Sequence, residues 1–184
     1  MAGDATCPLM ANSESAGRDL SAKPAHAGSS NSLMDISADG ELLACSNRDS
    51  GTVTVVDLAT NKVLREVAVG HHPEGVSFIG QSHEIAVAVY DDDTIVILDA
   101  DSGNSRAAVS VFDEPYGIVS TRDGSRIYVT LDYPGQVVEI DPRTAKITRT
   151  FSAGAFPRGI AITPAENQLL ISEYLTATIR AIDR

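Results

Sequence analysis

The chain has 184 residues, 43% hydrophobic and 21% charged, with 14 Lys and Arg against 25 Asp and Glu for a formal charge of -11. This is a globular composition, and no apolar stretch approaches the roughly 18 residues that suggest a membrane span. So acidic a chain repels phosphate backbones and anionic lipid, which argues against nucleic acid as a partner, and its 2 Cys make neither a disulfide framework nor a closed zinc site.

Residues 1–30 are rich in Gly, Pro, Ser and Ala and lack an apolar period, so they read as a disordered tail or linker. No basic start followed by an apolar run is visible, so no export signal is recognised. A cytoplasmic chain and a recorded start that differs from the natural one both stay open. Cys7, within this tail, reads as a free thiol without a role.

From residue 31 a repeat takes over. Pro73, Pro115 and Pro157 each open a P-x-G-V/I string, and they stand 42 residues apart. The same step relates Asp57, Asp99, Asp141 and Asp183, and two steps carry Asp39-Gly40 onto Asp123-Gly124. The copies are 31–72, 73–114, 115–156 and an incomplete 157–184. Each copy reads as four short strands of period two separated by turn residues; in the second copy these are 75–79, 84–89, 94–98 and 107–111. The β-branched runs 53–56 and 127–130 favour strand over helix, which is expected to be nearly absent. The Asp-Gly pairs supply the positive φ of tight hairpin turns.

A four-stranded sheet of this size cannot bury both faces alone, so the copies are expected to stack around an axis as the blades of an all-β propeller. P-x-G-V/I, the Asp-Gly turn, Tyr128-Val129-Thr130 and the apolar-Asp ending followed by Lys62-Val63 or Lys146-Ile147 resemble the YVTN-type β-propeller repeat. Leu131 stands where the name motif has Asn, whereas Asn47 keeps it in the first copy. The resemblance covers residues 31–184. It implies a recognition or scaffold domain, a periplasmic or cell-surface location, and remaining blades or a cytochrome c domain as partners in a longer protein.

Propellers carry four to eight blades and those of this repeat mostly seven, so the expectation is part of a larger ring. A closed four-bladed ring, completed by a strand from about residues 20–27 with Gly28 in register, and association through the open end with another chain are the alternatives.

Positions of constant character are read as structural. Cys45 aligns with Val87, Val129 and Ile171 as a small core residue. The four Asp that end the third strands are expected to accept N–H bonds of the next turn. Gly75, Gly117 and Gly159 are expected where the blades crowd the axis.

The connections between blades and the turns between second and third strands emerge on one face, and there the candidate site lies. The blade connections contribute His71, His72, Glu74, Asp113, Glu114, Tyr116, Phe156 and Arg158. The turns contribute Arg48, Asp49, Tyr90, Asp91, Asp92, Asp93, Asp132, Tyr133, Glu173 and Tyr174. Nine acids against two bases, with aromatics between them, point to a protein or small cationic ligand as the partner. Asp91-Asp92-Asp93 lacks the spacing of a calcium loop, and the adjacent His71 and His72 offer one metal ligand at most, so no metal or cofactor is expected. No nucleophile elbow or phosphate loop occurs, which favours a non-catalytic binding module. The alternatives are the propeller portion of a cytochrome c-linked redox enzyme, a lactonase-like enzyme, and a purely structural repeat.

Overall fold

The computed structural model describes residues 31–133 and 135–184, which form fifteen strands in four antiparallel sheets. The expectations for residues 1–30, including Cys7 and a closing strand, lie outside the described residues. The first sheet is β1 (Asn31–Ile36), β2 (Leu42–Asn47), β3 (Thr52–Asp57) and β4 (Lys62–Ala68). The second is β5 (Pro73–Phe78), β6 (Glu84–Val89), β7 (Thr94–Asp99) and β8 (Ser105–Ser110). The third is β9 (Pro115–Ser120), β10 (Ile127–Leu131), β11 (Gln136–Asp141) and β12 (Lys146–Ser152), and the fourth is β13 (Pro157–Ile162), β14 (Gln168–Glu173) and β15 (Thr178–Asp183). Among the described residues helix is confined to one 3-10 turn, Tyr90–Asp92.

Each sheet is a meander, and the innermost strands β1, β5, β9 and β13 touch one another in succession. That is a propeller-like array. Three apolar layers lie between the sheets, because β6 is apolar on both faces. Ile85, Val87 and Val89 pack toward the first sheet with Val53 and Val55, while Ala86 and Ala88 pack toward the third with Ile127, Val129 and Leu131. Tyr128 and Val137 then meet Leu169 and Ile171 of the fourth sheet. Cys45 lies in this frame as a buried residue whose thiol burial pushes above its usual pKa. Where no neighbouring sheet lies among the described residues the same register opens: Met34 and Ile36 are 64% and 53% exposed, against 5% and 3% for the aligned Val76 and Phe78.

The innermost strands start two residues earlier than the spacing suggests, at Pro73 rather than Gly75. A β-bulge between Pro73 and Val76 lets Pro73 pair with Val89, and proline, lacking an N–H, is tolerated as a strand's first residue. The expected crowding is present at two of the three glycines, since a β-carbon on Gly75 would strike the carbonyl oxygen of Tyr116 and one on Gly117 that of Arg158, whereas one on Gly159 would meet only the Ser172 side chain of its own sheet. Three of the third-strand aspartates behave as expected, Asp57 accepting the Thr60 N–H at 2.8 Å, Asp99 the Ser102 N–H at 2.7 Å and Asp141 the Arg143 N–H at 2.9 Å, whereas Asp183 accepts the side-chain amide of Gln168 instead.

At the end of the array formed by the hairpin turns, His83 bridges two sheets. Its Nε2 is 2.8 Å from Asp39 and its Nδ1 3.0 Å from Asp101. The hydrogen bond to Asp39, followed by that to Asp101, raises the imidazole pKa, while Ser37 and the Glu41 N–H hold Asp39 below the carboxylate range. A raised folded pKa means the contribution is fully present below the unfolded value of about 6.5 and is lost as pH rises through the folded value. His83→Gln therefore flattens the fall in melting temperature between about pH 6 and pH 8; an unchanged slope would exclude His83 as its source.

Left-handed backbone recurs on the same step. Gly51, Asp93, Gly135 and Ala177 have φ of 69°, 50°, 76° and 52°. A β-carbon on Gly51 would strike the carbonyl oxygen of Gly70, whereas Ala177 is exposed. Gly51→Ala is thus expected to destabilise by about 2 kcal/mol and Ala177→Gly to stabilise by up to about 1 kcal/mol, measured by denaturant unfolding.

Candidate functional site

Strand alternation brings the blade connections and the turns after β2, β6, β10 and β14 to one end. Two series of positions meet there. Ser32, Glu74, Tyr116 and Arg158 lie near the start of the innermost strands, and Arg48, Tyr90, Asp132 and Tyr174 open the turns, each series advancing by 42. Contacts join the turn of one blade to the inner strand of the next. Arg48 Nε donates to Glu74 Oε1 at 2.7 Å, the Tyr90 and Tyr116 rings meet edge to face at 6.3 Å and 88°, and Arg158 Nε donates to Asp132 Oδ2 at 2.9 Å. The rungs are an ion pair, an aromatic pair, and an ion pair of reversed polarity. The Arg158 guanidinium also lies 4.7 Å from the Tyr116 ring and 4.4 Å from that of Tyr174, within cation–π range.

Burial sorts the nine acids. Glu74, Asp132 and Glu173 are 5%, 1% and 6% exposed and each is paired with an arginine, Arg48, Arg158 and Arg180 respectively. Asp49, Asp91 and Asp92 are exposed, and Asp93, Asp113 and Glu114 half-buried. The acid that faces solvent thus gathers over the first two blades and the connection into the third. Burial pushes the Asp132 carboxyl above the carboxylate range although Arg158 pulls the other way, whereas the Ala155 N–H holds Glu173 below it. Burial, with a hydrogen bond to Glu114, raises the Tyr90 hydroxyl well above its ordinary value.

Hydroxyls fasten the rungs from below. Ser46 Oγ donates to the Glu74 carbonyl at 2.5 Å, and Thr130 Oγ1 to that of Arg158 at 3.0 Å, while accepting the Gly117 N–H at 2.7 Å. Above them the backbone is strained. His72, Glu114 and Phe156, the three residues before the repeat prolines, have φ of 50°, 42° and 50°, a left-handed conformation that bulky residues rarely adopt. Asp93 helps to hold one of them by accepting the Glu114 N–H at 2.9 Å.

The two adjacent histidines take separate partners, His71 Nδ1 at 2.9 Å from Asp92 and His72 Nδ1 at 2.6 Å from Asp91. With Arg48 and Asp49 they line a groove of about 570 Å3 between the first two blades. The hydrogen bond to Asp92 raises the His71 pKa. A metal-type grouping lies at the opposite end: Asp39, Glu41 and His83 bring ligand atoms within 4.8 Å of one another, but carboxylates already engage both His83 nitrogens. That arrangement suits an ion-paired imidazolium better than a metal ligand.

The structure departs from the sequence-based expectation at two points. Glu74, Tyr116 and Arg158 are strand residues aimed by the bulge, not loop residues. The face is also less acidic than nine against two, because Arg180 of β15 reaches Glu173. Tyr133 and Tyr174 are exposed at 59% and 64%, and Phe156 is half-buried. The reading missed the rung, whose signal is the constant offset of 26 between a turn residue and its partner.

No family model matches this chain. It is 24% identical over 170 residues to Antigen Lp49 of Leptospira interrogans serogroup Icterohaemorrhagiae serovar copenhageni (strain Fiocruz L1-130), covering 81% of this chain and 37% of that protein. The Kuenenia stuttgartiensis hydrazine synthase superposes with a TM-score of 0.76 at 26% identity, covering 82% of this chain and 45% of that one. The chain therefore spans less than half the length of either relative. The likeness in structure agrees with a propeller-like fold. No helix among the described residues is long and apolar enough to cross a membrane.

The third rung makes a direct test of the site's architecture. Arg158→Ala strands the buried Asp132 carboxylate and is expected to cost about 3 kcal/mol of stability, part of which Asp132→Asn in the same chain restores. Additive losses in the double variant would mean that the two side chains are not coupled.

Proposed function

We propose that this chain is a non-catalytic recognition module built on YVTN-type propeller repeats, and that its loop face receives a cationic protein segment or small cationic ligand. The observation that carries the reading is the set of rungs at the mouth of the axis. They fix aromatic and charged side chains in one ordered array, which is what a preorganised surface requires. The exposed acids around the array add long-range attraction for cations. In keeping with the repeat resemblance, we place its action in the periplasm or at the cell surface.

A second reading, the propeller portion of a larger redox enzyme, is favoured by the likeness to hydrazine synthase. In that setting the same face would dock the rest of the enzyme. Cofactor in the full-length gene product, lost together with partner docking when Tyr116 and Arg158 are replaced, would support this reading over the first.

The test uses octalysine and octaglutamate as probes. Octalysine is expected to bind with an affinity that falls as salt rises, and octaglutamate not to bind. Because His71 loses its charge as pH rises through its raised pKa, the face becomes more negative, so octalysine binding strengthens from about pH 6 to pH 8. Equal binding of the two peptides, or none of either, would overturn the reading.

A further inference from the structure

We propose that the mouth of the axis holds a subsite for one organic cation, an alkylammonium or guanidinium head, received by the carboxylate oxygen of Asp132 that Arg158 leaves free, beside the Tyr90–Tyr116 pair. The inference rests on the recognition reading and narrows it to one chemical group. Its first support is an unmade hydrogen bond. The Asp132 side chain is 0% exposed, and its Oδ1 has no partner among the described residues while Oδ2 takes Arg158 Nε. The acid of the first rung differs: Glu74 takes Arg48 Nε on Oε1 and the Ser32 hydroxyl on Oε2. A buried carboxylate oxygen left without a donor is rare in folded proteins, and a ligand N–H would satisfy it.

The second support is charge. Arg158 attracts the Asp132 carboxylate while Glu114 and Glu74 repel it, and Glu74 is itself paired with Arg48. Among these groups carboxylates outnumber guanidinium groups three to two, which favours a cation as the ligand. An anion is disfavoured by that tally. A divalent metal is disfavoured because only one unpaired oxygen is offered where calcium takes six to eight.

The third support is the wall. Tyr116 holds the Arg158 guanidinium 4.7 Å from its ring and Tyr90 packs edge-on against it at 6.3 Å, so the partner of Asp132 itself sits in an aromatic setting that suits an organic cation. Because Oδ1 is shielded from solvent, the head enters by displacing a side chain at the mouth, and the exposed acids beside the groove guide it there.

The experiment titrates the full chain with octalysine at low salt, comparing the unaltered protein, Asp132→Asn, and the rim variant Asp91→Asn/Asp92→Asn, with circular dichroism to show that each is folded. Asp132→Asn is expected to weaken binding by about tenfold or more, and the rim variant by only a few-fold through slower association. Tight binding by Asp132→Asn with weakened binding by the rim variant would overturn the subsite and leave the loop-face reading standing; absence of binding to the unaltered protein would overturn both. A second readout is independent of any variant. The 13C shift of the Asp132 carboxyl in the unaltered chain moves on adding n-butylammonium chloride. No shift, or an equal shift with potassium chloride at the same ionic strength, overturns the organic-cation subsite.

Discussion

Every feature of this chain depends on one constraint: a sheet that is apolar on both faces is stable only between two others. In β6 the alternation that normally separates a wet face from a dry one separates instead two dry faces, Ile85, Val87 and Val89 on one side and Ala86 and Ala88 on the other. The difference in size matters as much as the shared polarity. Large residues meet Val53 and Val55, and small ones accept Ile127 and Val129, so successive sheets nest at interior density. Once the inner strands also touch, through Gly75 and Gly117, the stack must turn about an axis instead of running straight.

That turning phases the chemistry at the mouth. Each inter-sheet contact brings a turn residue against the inner strand 26 positions later, and the repeat makes the contact with different side chains each time. At the two ion-pair rungs the hydroxyls of Ser46 and Thr130 fasten the strand below, onto the Glu74 and Arg158 carbonyls, whereas the aromatic rung has Ala88 at the equivalent position and no such hydroxyl. A scaffold whose stability sits beneath a variable upper layer can change its ligand without changing its fold. The strained residues before the prolines belong to that upper layer, which fits the clustering of strain at functional positions.

Much of this was legible in the sequence because it repeats. The step of 42, the Asp-Gly turns and the third-strand aspartates each recur, and a recurring residue exposes its structural role. What stayed hidden lies between repeats. Nothing in the string Asp132-Tyr133-Pro134-Gly135 announces that Asp132 is buried, because its burial comes from Arg158 and Tyr116 on other strands. The repeat does show that Ala165-Glu166 takes the place of the Asp-Gly turns, a place it suits less well, but not how Glu166 holds its left-handed backbone: it accepts the Arg122 N–H at 2.7 Å, a contact from another blade. In the second blade, where Gln81-Ser82 stands in place of Asp-Gly, the positive φ falls instead on Gly80.

Pulsed dipolar spectroscopy on spin labels in a Cys7→Ser/Cys45→Ala background would test the radial arrangement most directly. One label pair would occupy Ser120 and Ile162 on the innermost strands, the other Arg106 and Thr148 on the outermost, both pairs 42 residues apart. Sheets radiating from an axis require the outer distance to exceed the inner one clearly. Equal distances would mean a straight stack, and with it neither a mouth nor rungs converging on one.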